Sequence, residues 1–183
     1  MKHDSGFSLS CGKVLLKHLP RNLELVIDLG CGPGGLLGHL LEYSDKVIAI
    51  DSSEKMLEEA KRNYKAYRNI KFQLSYLEKI KLPAKTADAV VASMVLHHVS
   101  NPPLAMQEVF RILKENGSFY IVDLSRHDRE VMRDKFLDLW LGFDSWQLED
   151  WLKQSGFIIE AKSVLKTPTE FKILVIKATK RSK

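Results

Sequence analysis

A glycine-rich stretch between two apolar segments carries the most informative chemistry in this sequence. Residues 26–37 read VIDLGCGPGGLL. An apolar run, a glycine turn and a second apolar segment predict a buried strand, a tight loop and the start of a helix. Because glycine has no side chain, such a loop lets a ligand approach the backbone closely. We therefore expect Gly30, Gly32 and Gly34 to border a ligand site.

Two spacing patterns fit these glycines equally well. Gly30, Gly32 and Gly35 match G-x-G-x-x-G, whereas Gly34 in place of Gly35 gives G-x-G-x-G. Both patterns predict an acidic residue about 20 positions further on, and Asp51 follows the next apolar run. Its carboxylate would accept two ribose hydroxyls, which indicates an adenosine ribose without a 2′-phosphate. Glycines that only permitted a tight turn would leave Asp51 unexplained.

A second carboxylate helps to distinguish between the kinds of ligand that such a loop could bind. Asp28 stands two residues before the first glycine, where it would bind loop amides or a ligand's ammonium group, directly or through water. It would repel a pyrophosphate, which disfavours a dinucleotide. A ligand with adenosine at one end and an amino acid at the other suits both Asp28 and Asp51. That ligand is S-adenosylmethionine.

Several segments resemble one known family. Residues 28–34 (DLGCGPG) resemble motif I of the class I S-adenosylmethionine-dependent methyltransferases. Later segments resemble that family's second, third and fourth motifs and its next helix and fifth strand, in the order 49–57 (AIDSSEKML), 72–83, 88–99 (DAVVASMVLHHV) and 104–123. The match runs in register over about residues 24–124. The nearest branch is the ubiquinone/menaquinone-biosynthesis-like methyltransferases, also called methyltransferase type 11.

The resemblance implies which residues bind S-adenosylmethionine, with S-adenosylhomocysteine as the product of the transfer. Asp51 would hold the ribose, and Tyr76 and Leu77 would flank the adenine. The implied cofactor residues are Asp28, Gly30, Cys31, Gly32, Gly34, Asp51, Ser52, Met56, Tyr76, Leu77, Ser93 and Met94. Relatives usually carry an acidic residue at the position of Tyr76, so we expect this tyrosine to stack or hydrogen-bond instead.

Three histidines are candidates for catalysis. S-adenosylmethionine carries an already activated methyl group, so the protein mainly aligns the acceptor and excludes water. A general base is needed only if the acceptor must lose a proton. His97 and His98 follow the fourth predicted strand, and His127 follows the fifth, shortly after Asp123. The alternative is that these histidines begin helices or pack against neighbours.

The elements that would position these residues alternate between strand and helix patterns. The strands are predicted at residues 25–27, 46–50, 70–74, 87–93, 118–124, 157–165 and 171–179. The helices are predicted at residues 9–19, 36–43, 54–67, 102–115, 126–141 and 145–155, the last with a capping box from Asp144 and Gln147. This order predicts a doubly wound α/β sheet.

The end of the chain departs from that repeat. Only residues 166–170 separate the last two predicted strands, and a link this short joins antiparallel neighbours. The continuously apolar run at 173–176 predicts that the reversed strand is buried on both faces. With the family resemblance, this predicts a Rossmann-like seven-stranded sheet in the order 3-2-1-4-5-7-6 with the last strand antiparallel.

We expect one methyltransferase domain over residues 1–183. Its parts would be an N-terminal helical arm at 1–23, a cofactor-binding core at 24–124, a helical insert lining the substrate at 125–156 and a terminal β-hairpin at 157–183. Composition is that of a globular protein, with 45% hydrophobic and 28% charged residues. Two cysteines predict neither a disulfide framework nor a metal centre, and the absence of a signal or membrane segment predicts a cytoplasmic location.

The methyl acceptor stays open at this point, with a small molecule favoured. The net charge of +5 is modest and spread along the chain, which neither requires nor rules out a nucleic acid. Asn101-Pro102-Pro103 precedes a leucine and not an aromatic residue, unlike the motif of base-amine methyltransferases. The alternatives are an RNA or protein methyltransferase, an NAD-dependent dehydrogenase and a non-catalytic adenosylmethionine-binding module.

Overall fold

A seven-stranded sheet with helices on both faces forms the framework of the protein. The computed structural model describes residues 5–181. The strands are β1 (Leu23–Leu29), β2 (Ser44–Asp51), β3 (Ile70–Leu74), β4 (Ala87–Ser93), β5 (Leu113–Leu124), β6 (Ile158–Lys166) and β7 (Lys172–Thr179). The helices are α1 (Ser5–Leu16), α2 (Leu37–Leu40), α3 (Glu54–Asn63), α4 (Pro102–Ile112), α5 (Val131–Phe136) and α6 (Ser145–Gln154), with a short 3-10 turn at Leu96–His98.

The strand order confirms the predicted topology. The sheet runs β3-β2-β1-β4-β5-β7-β6, and β7 is antiparallel to both of its neighbours. The apolar run Ile173 to Ile176 is buried between β5 and β6, as its unbroken hydrophobicity predicted. Because β2 and β4 lie on opposite sides of β1, the chain order reverses there. A crevice at such a reversal is where open α/β sheets bind their ligands.

Two apolar clusters enclose the sheet, one on each face. Leu15 of α1 and Leu37 of α2 are fully buried in the cluster on one face. Met106 of α4 and Leu148 of α6 are fully buried in the cluster on the other. Helices therefore bury both faces of the sheet, and the loops at the carboxyl ends of its strands form the site.

Several predicted helices differ in extent from those of the structure, and the helices predicted at 9–19 and 54–67 end at Leu16 and Asn63. The helix predicted at 36–43 is helical only at Leu37–Leu40, since i→i−3 turn bonds flank it and the N–H of Gly38 donates to the Tyr64 hydroxyl at 3.1 Å.

The helix from Pro102 ends at Ile112 and not near Asn116, and β5 begins at Leu113. There the Nζ of Lys180 donates to the carbonyl of Phe110, in the last turn of the helix, and to the carbonyl of Leu113, the residue that follows it.

The helix predicted at 126–141 is wrong over most of its length. Only Val131–Phe136 is helical, and Val131 and Leu139, which the apolar spacing of such a helix would place inward, are 60% and 50% exposed. The reason is that the flanking backbone bonds to other elements, since the N–H groups of Leu139 and Trp140 both donate to the carbonyl of His97 at 3.0 Å. Tertiary hydrogen bonds therefore override the helical spacing of the sequence.

The predicted capping box of α6 is also wrong. Asp144 occupies the N-cap position, but its side chain accepts from Nε of Arg126 at 2.6 Å and makes no cap bond. Gln147 likewise accepts from Arg126, at 3.2 Å. The same two side chains are thus used to fix the segment after β5 against α6.

The predicted division into parts stays a prediction, and its two ends lie partly outside the described residues. Positions 1–4 of the N-terminal arm and 182–183 of the terminal hairpin are not described. Within residues 5–181, no helix has the length and apolarity that a membrane span requires.

Candidate active site

The glycine loop adopts the backbone conformation that only glycine takes at low cost. Gly30, Gly32 and Gly34 have φ values of +64°, +53° and +94°, whereas Gly35 is not in the left-handed region. The G-x-G-x-G spacing therefore marks the three left-handed positions. A Cβ on Gly30 would lie 2.1 Å from Cγ2 of Val95, so the loop there contacts the segment after β4.

Gly32 differs from Gly30 because it faces open space. A Cβ built on Gly32 would meet no described atom within 4 Å. Its N–H donates to Oδ2 of Asp51 at 2.9 Å, and Oδ1 of Asp51 accepts from the N–H of Ser53 at 2.8 Å. The loop is thus tied to the end of β2 while one side of its backbone stays accessible to a ligand.

Asp51 retains hydrogen-bonding capacity for a ligand. A carboxylate offers about four lone-pair positions, and the two bonds from Gly32 and Ser53 use two of them. The side chain is half-buried and not fully enclosed. Two acceptor positions therefore match the two hydroxyls of a ribose.

Asp28 lies at the base of the loop and is almost fully buried, with 2% exposure. Burial, and then the nearby charge of Asp51, raise the pKa of Asp28 from 3.8 to about 8. Burial and the same two carboxylates also raise the pKa of the Cys31 thiol. A buried carboxyl group whose ionised form is disfavoured in this way is stabilised by a cationic ligand and disfavours a pyrophosphate.

The other predicted cofactor residues border the same edge of the sheet. Ser52 is exposed and Met56 is half-buried in the first turn of α3. Tyr76 is 72% exposed just beyond β3, whereas Leu77 is buried. The N–H of Ser75 donates to the carbonyl of Asp51 at 3.0 Å, so this segment is fixed beside β2.

The end of β4 supplies an orphaned polar atom. Ser93 is 8% exposed, and its buried Oγ has no hydrogen-bond partner among the residues that the structure describes. Met94, the next residue, has a φ of +54° and donates its N–H to Val122 of β5 at 2.8 Å. Buried hydroxyls are normally satisfied, so the Ser93 hydroxyl is suited to a ligand or a water.

His97 and Asp123 form a buried pair next to this strand end. Nδ1 of His97 lies 2.5 Å from Oδ1 of Asp123, and both side chains are 5% exposed or less. The carboxylate also accepts from the N–H groups of Val95, Leu96 and Leu124. Although burial opposes both shifts, the mutual attraction raises the pKa of His97 and lowers the pKa of Asp123.

His98 and Asp138 complete a cluster that the sequence did not indicate. Oδ1 of Asp138 lies 3.7 Å from Nδ1 of His98 and 3.9 Å from Nε2 of His97. The Asp138 side chain is 1% exposed, whereas 31% of the His98 side chain is accessible. Asp138 lies 40 positions after His98 and falls in the wrongly predicted helix, so no local spacing marked it.

His127 has different surroundings from the other two histidines. Its ring packs against Phe171, with centroids 4.9 Å apart, and its Nδ1 accepts from the N–H of Arg129 at 3.3 Å. Burial lowers the pKa of His127; the negative charge of Asp138 opposes this shift, and the positive charge of His97 adds to it. The structure therefore brings His97 and His98 together, at a centroid separation of 4.1 Å, and gives His127 a separate packing partner.

Comparison with protein families gives a match over the region that carries this site. Residues 27–121 match the family described as methyltransferase domain. The matched region extends from β1 to the middle of β5 and so includes the glycine loop, Asp51 and the end of β4. Asp123, His127 and Asp138 lie beyond it.

Two curated relatives are each 31% identical to the chain over the aligned region. The demethylmenaquinone methyltransferase of Symbiobacterium thermophilum is 31% identical over 144 residues, covering 74% of this chain and 54% of that protein. The malonyl-[acyl-carrier protein] O-methyltransferase of Halalkalibacterium halodurans is 31% identical over 144 residues, covering 76% and 49%. This chain spans at most about half of the length of the curated relatives it matches.

A solved structure with bound ligands has the same fold. The 1,6-didemethyltoxoflavin-N1-methyltransferase of Burkholderia thailandensis, with 1,6-didemethyltoxoflavin and S-adenosylhomocysteine bound, superposes with a TM-score of 0.79. The two share 20% identity, and the alignment covers 98% of this chain and 80% of that one. At this identity the similarity extends to the fold alone.

Proposed function

This chain belongs to the methyltransferase domain family, and from that premise we propose that it transfers a methyl group from S-adenosylmethionine to a small-molecule acceptor. The observation that carries the proposal is the pair formed by Gly32 and Asp51. Gly32 presents an open backbone face, and the carboxylate bound to its N–H keeps two acceptor positions for a ribose.

The residues around the glycine loop fit S-adenosylmethionine. Asp28 would attract the ammonium group of the methionine part. The backbone of the glycine loop would line the same part of the ligand, at Gly30, Cys31, Gly32 and Gly34. The orphaned hydroxyl of Ser93 offers a hydrogen bond near the middle of the ligand. When bound, S-adenosylmethionine supplies a methyl group activated by attachment to a sulfonium sulfur.

The remaining predicted residues would hold the nucleoside part. Asp51 would accept the ribose hydroxyls, with Ser52 and Met56 beside it at the start of α3. The exposed ring of Tyr76 would stack on the adenine while the buried Leu77 supports the segment. Met94, held in the left-handed region, would direct the chain from β4 toward the acceptor.

The acceptor would lie on the side of His97 and His98. His98 is the more accessible of the two, so it is suited to contact the acceptor or take its proton. His97, held by Asp123, would position the turn that carries His98. His127 is a further candidate base, although its ring packs against Phe171.

A small-molecule acceptor is supported by the name of one curated relative, a demethylmenaquinone methyltransferase, whereas the 1,6-didemethyltoxoflavin methyltransferase shares the fold alone. Another curated relative is named as a malonyl-[acyl-carrier protein] O-methyltransferase, so a small group bound to a carrier protein is a further acceptor of this kind. Nothing in the described residues favours RNA or a protein side chain as the acceptor over these.

Calorimetry followed by a transfer assay tests the proposal. Titration with S-adenosylmethionine, S-adenosylhomocysteine and NAD should show binding of the first two and none of NAD. The protein should then transfer a labelled methyl group into the small-molecule fraction of a cell extract, rather than into RNA or protein. Tight binding of NAD, or no binding of S-adenosylmethionine, would reject the proposed function; binding without transfer would indicate a non-catalytic module.

A further inference from the structure

Three side chains beside the proposed acceptor position have the arrangement of a metal site. We propose that His97, His98 and Asp138 bind a divalent transition-metal ion of the kind that prefers imidazole and carboxylate ligands, such as Zn²⁺ or Co²⁺. Each residue offers one ligand atom, and the three atoms lie within 4.8 Å of one another.

The distances suit an ion better than direct hydrogen bonds. Oδ1 of Asp138 is 3.7 Å from the nearer nitrogen of His98 and 3.9 Å from Nε2 of His97, both longer than an ordinary N···O hydrogen bond. Two ligands on a tetrahedral ion with bonds of about 2.1 Å lie about 3.4 Å apart. Small side-chain rotations would therefore bring the three atoms to bonding distance.

Asp123 orients His97 as a second-shell carboxylate does in metal sites. Its Oδ1 lies 2.5 Å from Nδ1 of His97, which directs the other ring nitrogen, Nε2, toward Asp138. Metal-binding histidines commonly donate their second N–H to a carboxylate in this way, and the partner fixes the ring and its tautomer. The Asp123 carboxylate is itself fixed by the amide of Leu96 at 2.8 Å.

The backbone holds Asp138 against the two histidines. Leu137 has a φ of +62°, which turns the chain immediately before Asp138. The next two amides, of Leu139 and Trp140, both donate to the carbonyl of His97 at 3.0 Å. The indole of Trp140 donates to the carbonyl of Val99 at 2.9 Å, so the segment is held on both sides of His98. The ligand set is thus fixed by the fold and not by flexible side chains alone.

The chemistry of the ligands indicates the class of ion. Two imidazoles and one carboxylate suit Zn²⁺, Co²⁺ or Fe²⁺, whereas Mg²⁺ and Ca²⁺ prefer oxygen ligands. Three protein ligands leave at least one position open, as in catalytic zinc sites. His98 is the accessible member, so an open position on its side would take an oxygen or nitrogen atom of the acceptor. That role rests on the proposed function, but metal binding itself does not.

Metal titration of the untagged, chelator-treated protein tests the site without any methyl donor. Calorimetry with Zn²⁺ should give one ion per chain, and Co²⁺ should produce the visible ligand-field bands of inner-sphere coordination. Asp138→Asn and His98→Ala should each weaken binding by at least about 100-fold and abolish the bands, because outer-shell changes alone cost about 10- to 100-fold. His98→Gln serves as a bulkier variant if the alanine change reduces folding.

A histidine–carboxylate pair elsewhere provides the matched control. His39 and Glu42 lie 3.3 Å apart on the surface, and His39→Ala should leave both affinity and spectrum unchanged. Absence of stoichiometric binding in the wild-type protein would overturn the site, as would unchanged binding in either ligand variant of confirmed fold. Calorimetry with S-adenosylmethionine on the metal-free protein separates this result from the proposed function, since cofactor binding there survives a failed metal site.

Discussion

The imidazole of His97 and the carboxylate of Asp123, 2.5 Å apart between Nδ1 and Oδ1, join the ends of two neighbouring strands. Asp123 lies in β5, and its carboxylate also accepts the amides of Val95 and Leu96 just beyond β4. The buried Asp123 side chain therefore fixes the position of the segment that carries both histidines. It thereby connects β5 to the residues that we propose border the acceptor.

Asp123→Ala is expected to lower the free energy of unfolding by about 3 kcal/mol or more, because it leaves a buried imidazole and three amides without their partner. Denaturant unfolding at neutral pH measures the change. Glu42→Gln, which alters an exposed contact with His39, serves as the control and should have no measurable effect. A loss equal to that of the control would show that the pair does not stabilise the strand ends.

Asp51→Ala is expected to weaken S-adenosylmethionine binding by at least about tenfold, since both the ribose contact and the bond to the Gly32 amide are lost. Asp51→Asn keeps one oxygen acceptor and should fall between the wild type and the alanine variant. Asp45→Asn changes an exposed carboxylate near the other end of β2 and should bind normally. Calorimetry measures all three, and equal affinities for Asp51→Ala and wild type would remove Asp51 from the site.

Alanine substitutions at two glycines of the loop should affect ligand affinity and protein stability to different extents. Gly32→Ala places a methyl group in open space, so the main stability cost is about 1–2 kcal/mol for the left-handed backbone, while ligand affinity falls strongly. Gly30→Ala adds a clash at 2.1 Å with Val95 and should destabilise the protein more. Thermal unfolding measures the stability of both variants, and calorimetry measures their affinity for S-adenosylmethionine. If Gly32→Ala bound as well as wild type, the open face of Gly32 would not be the ligand side.

Tyr76→Ala is expected to weaken binding by roughly fivefold, since a stacked aromatic ring contributes about 1 kcal/mol. Tyr76→Phe keeps the ring and should bind like the wild type. Tyr67→Ala removes another exposed tyrosine ring and is the matched control. A phenylalanine variant as weak as the alanine variant would instead assign the contact to the hydroxyl group.

The sequence was most informative where the chemistry is local. The glycines and Asp28 fall in one contiguous motif, and Asp51 follows at a fixed spacing, because a strand, a turn and a helix set their separation. The reversed strand β7 could also be predicted, since a five-residue link permits only one direction.

Asp138 could not be predicted in the same way. Its approach to His98 depends on the left-handed Leu137 and on amides of the segment that donate to His97. These are tertiary interactions, and the apolar spacing of residues 126–141 indicated a helix instead. The end of α4 was missed for a similar reason, because the Lys180 ammonium that caps it comes from the far end of the chain.

Asp28 gives the ligand-free protein a pH dependence of known sign. Its pKa is raised from 3.8 to about 8, so the folded protein holds this proton more strongly than the unfolded chain. The Asp28 contribution therefore destabilises the fold progressively as pH rises from about 4 to about 8. Asp28→Asn should gain stability relative to wild type across that range, and the gap should stop growing above about pH 8. Denaturant unfolding of both proteins at a series of pH values measures the gap.

The same proton should couple to cofactor binding. A cationic ligand favours the ionised form of Asp28, so binding below about pH 8 must release a proton. We expect the affinity for S-adenosylmethionine to rise toward about pH 8, by up to about tenfold per pH unit, and then to level off. Calorimetry in buffers of different ionisation enthalpy measures the released proton directly, and Asp28→Asn should abolish both the release and the slope. A pH-independent affinity in the wild-type protein would mean that the ligand's positive charge does not lie near Asp28.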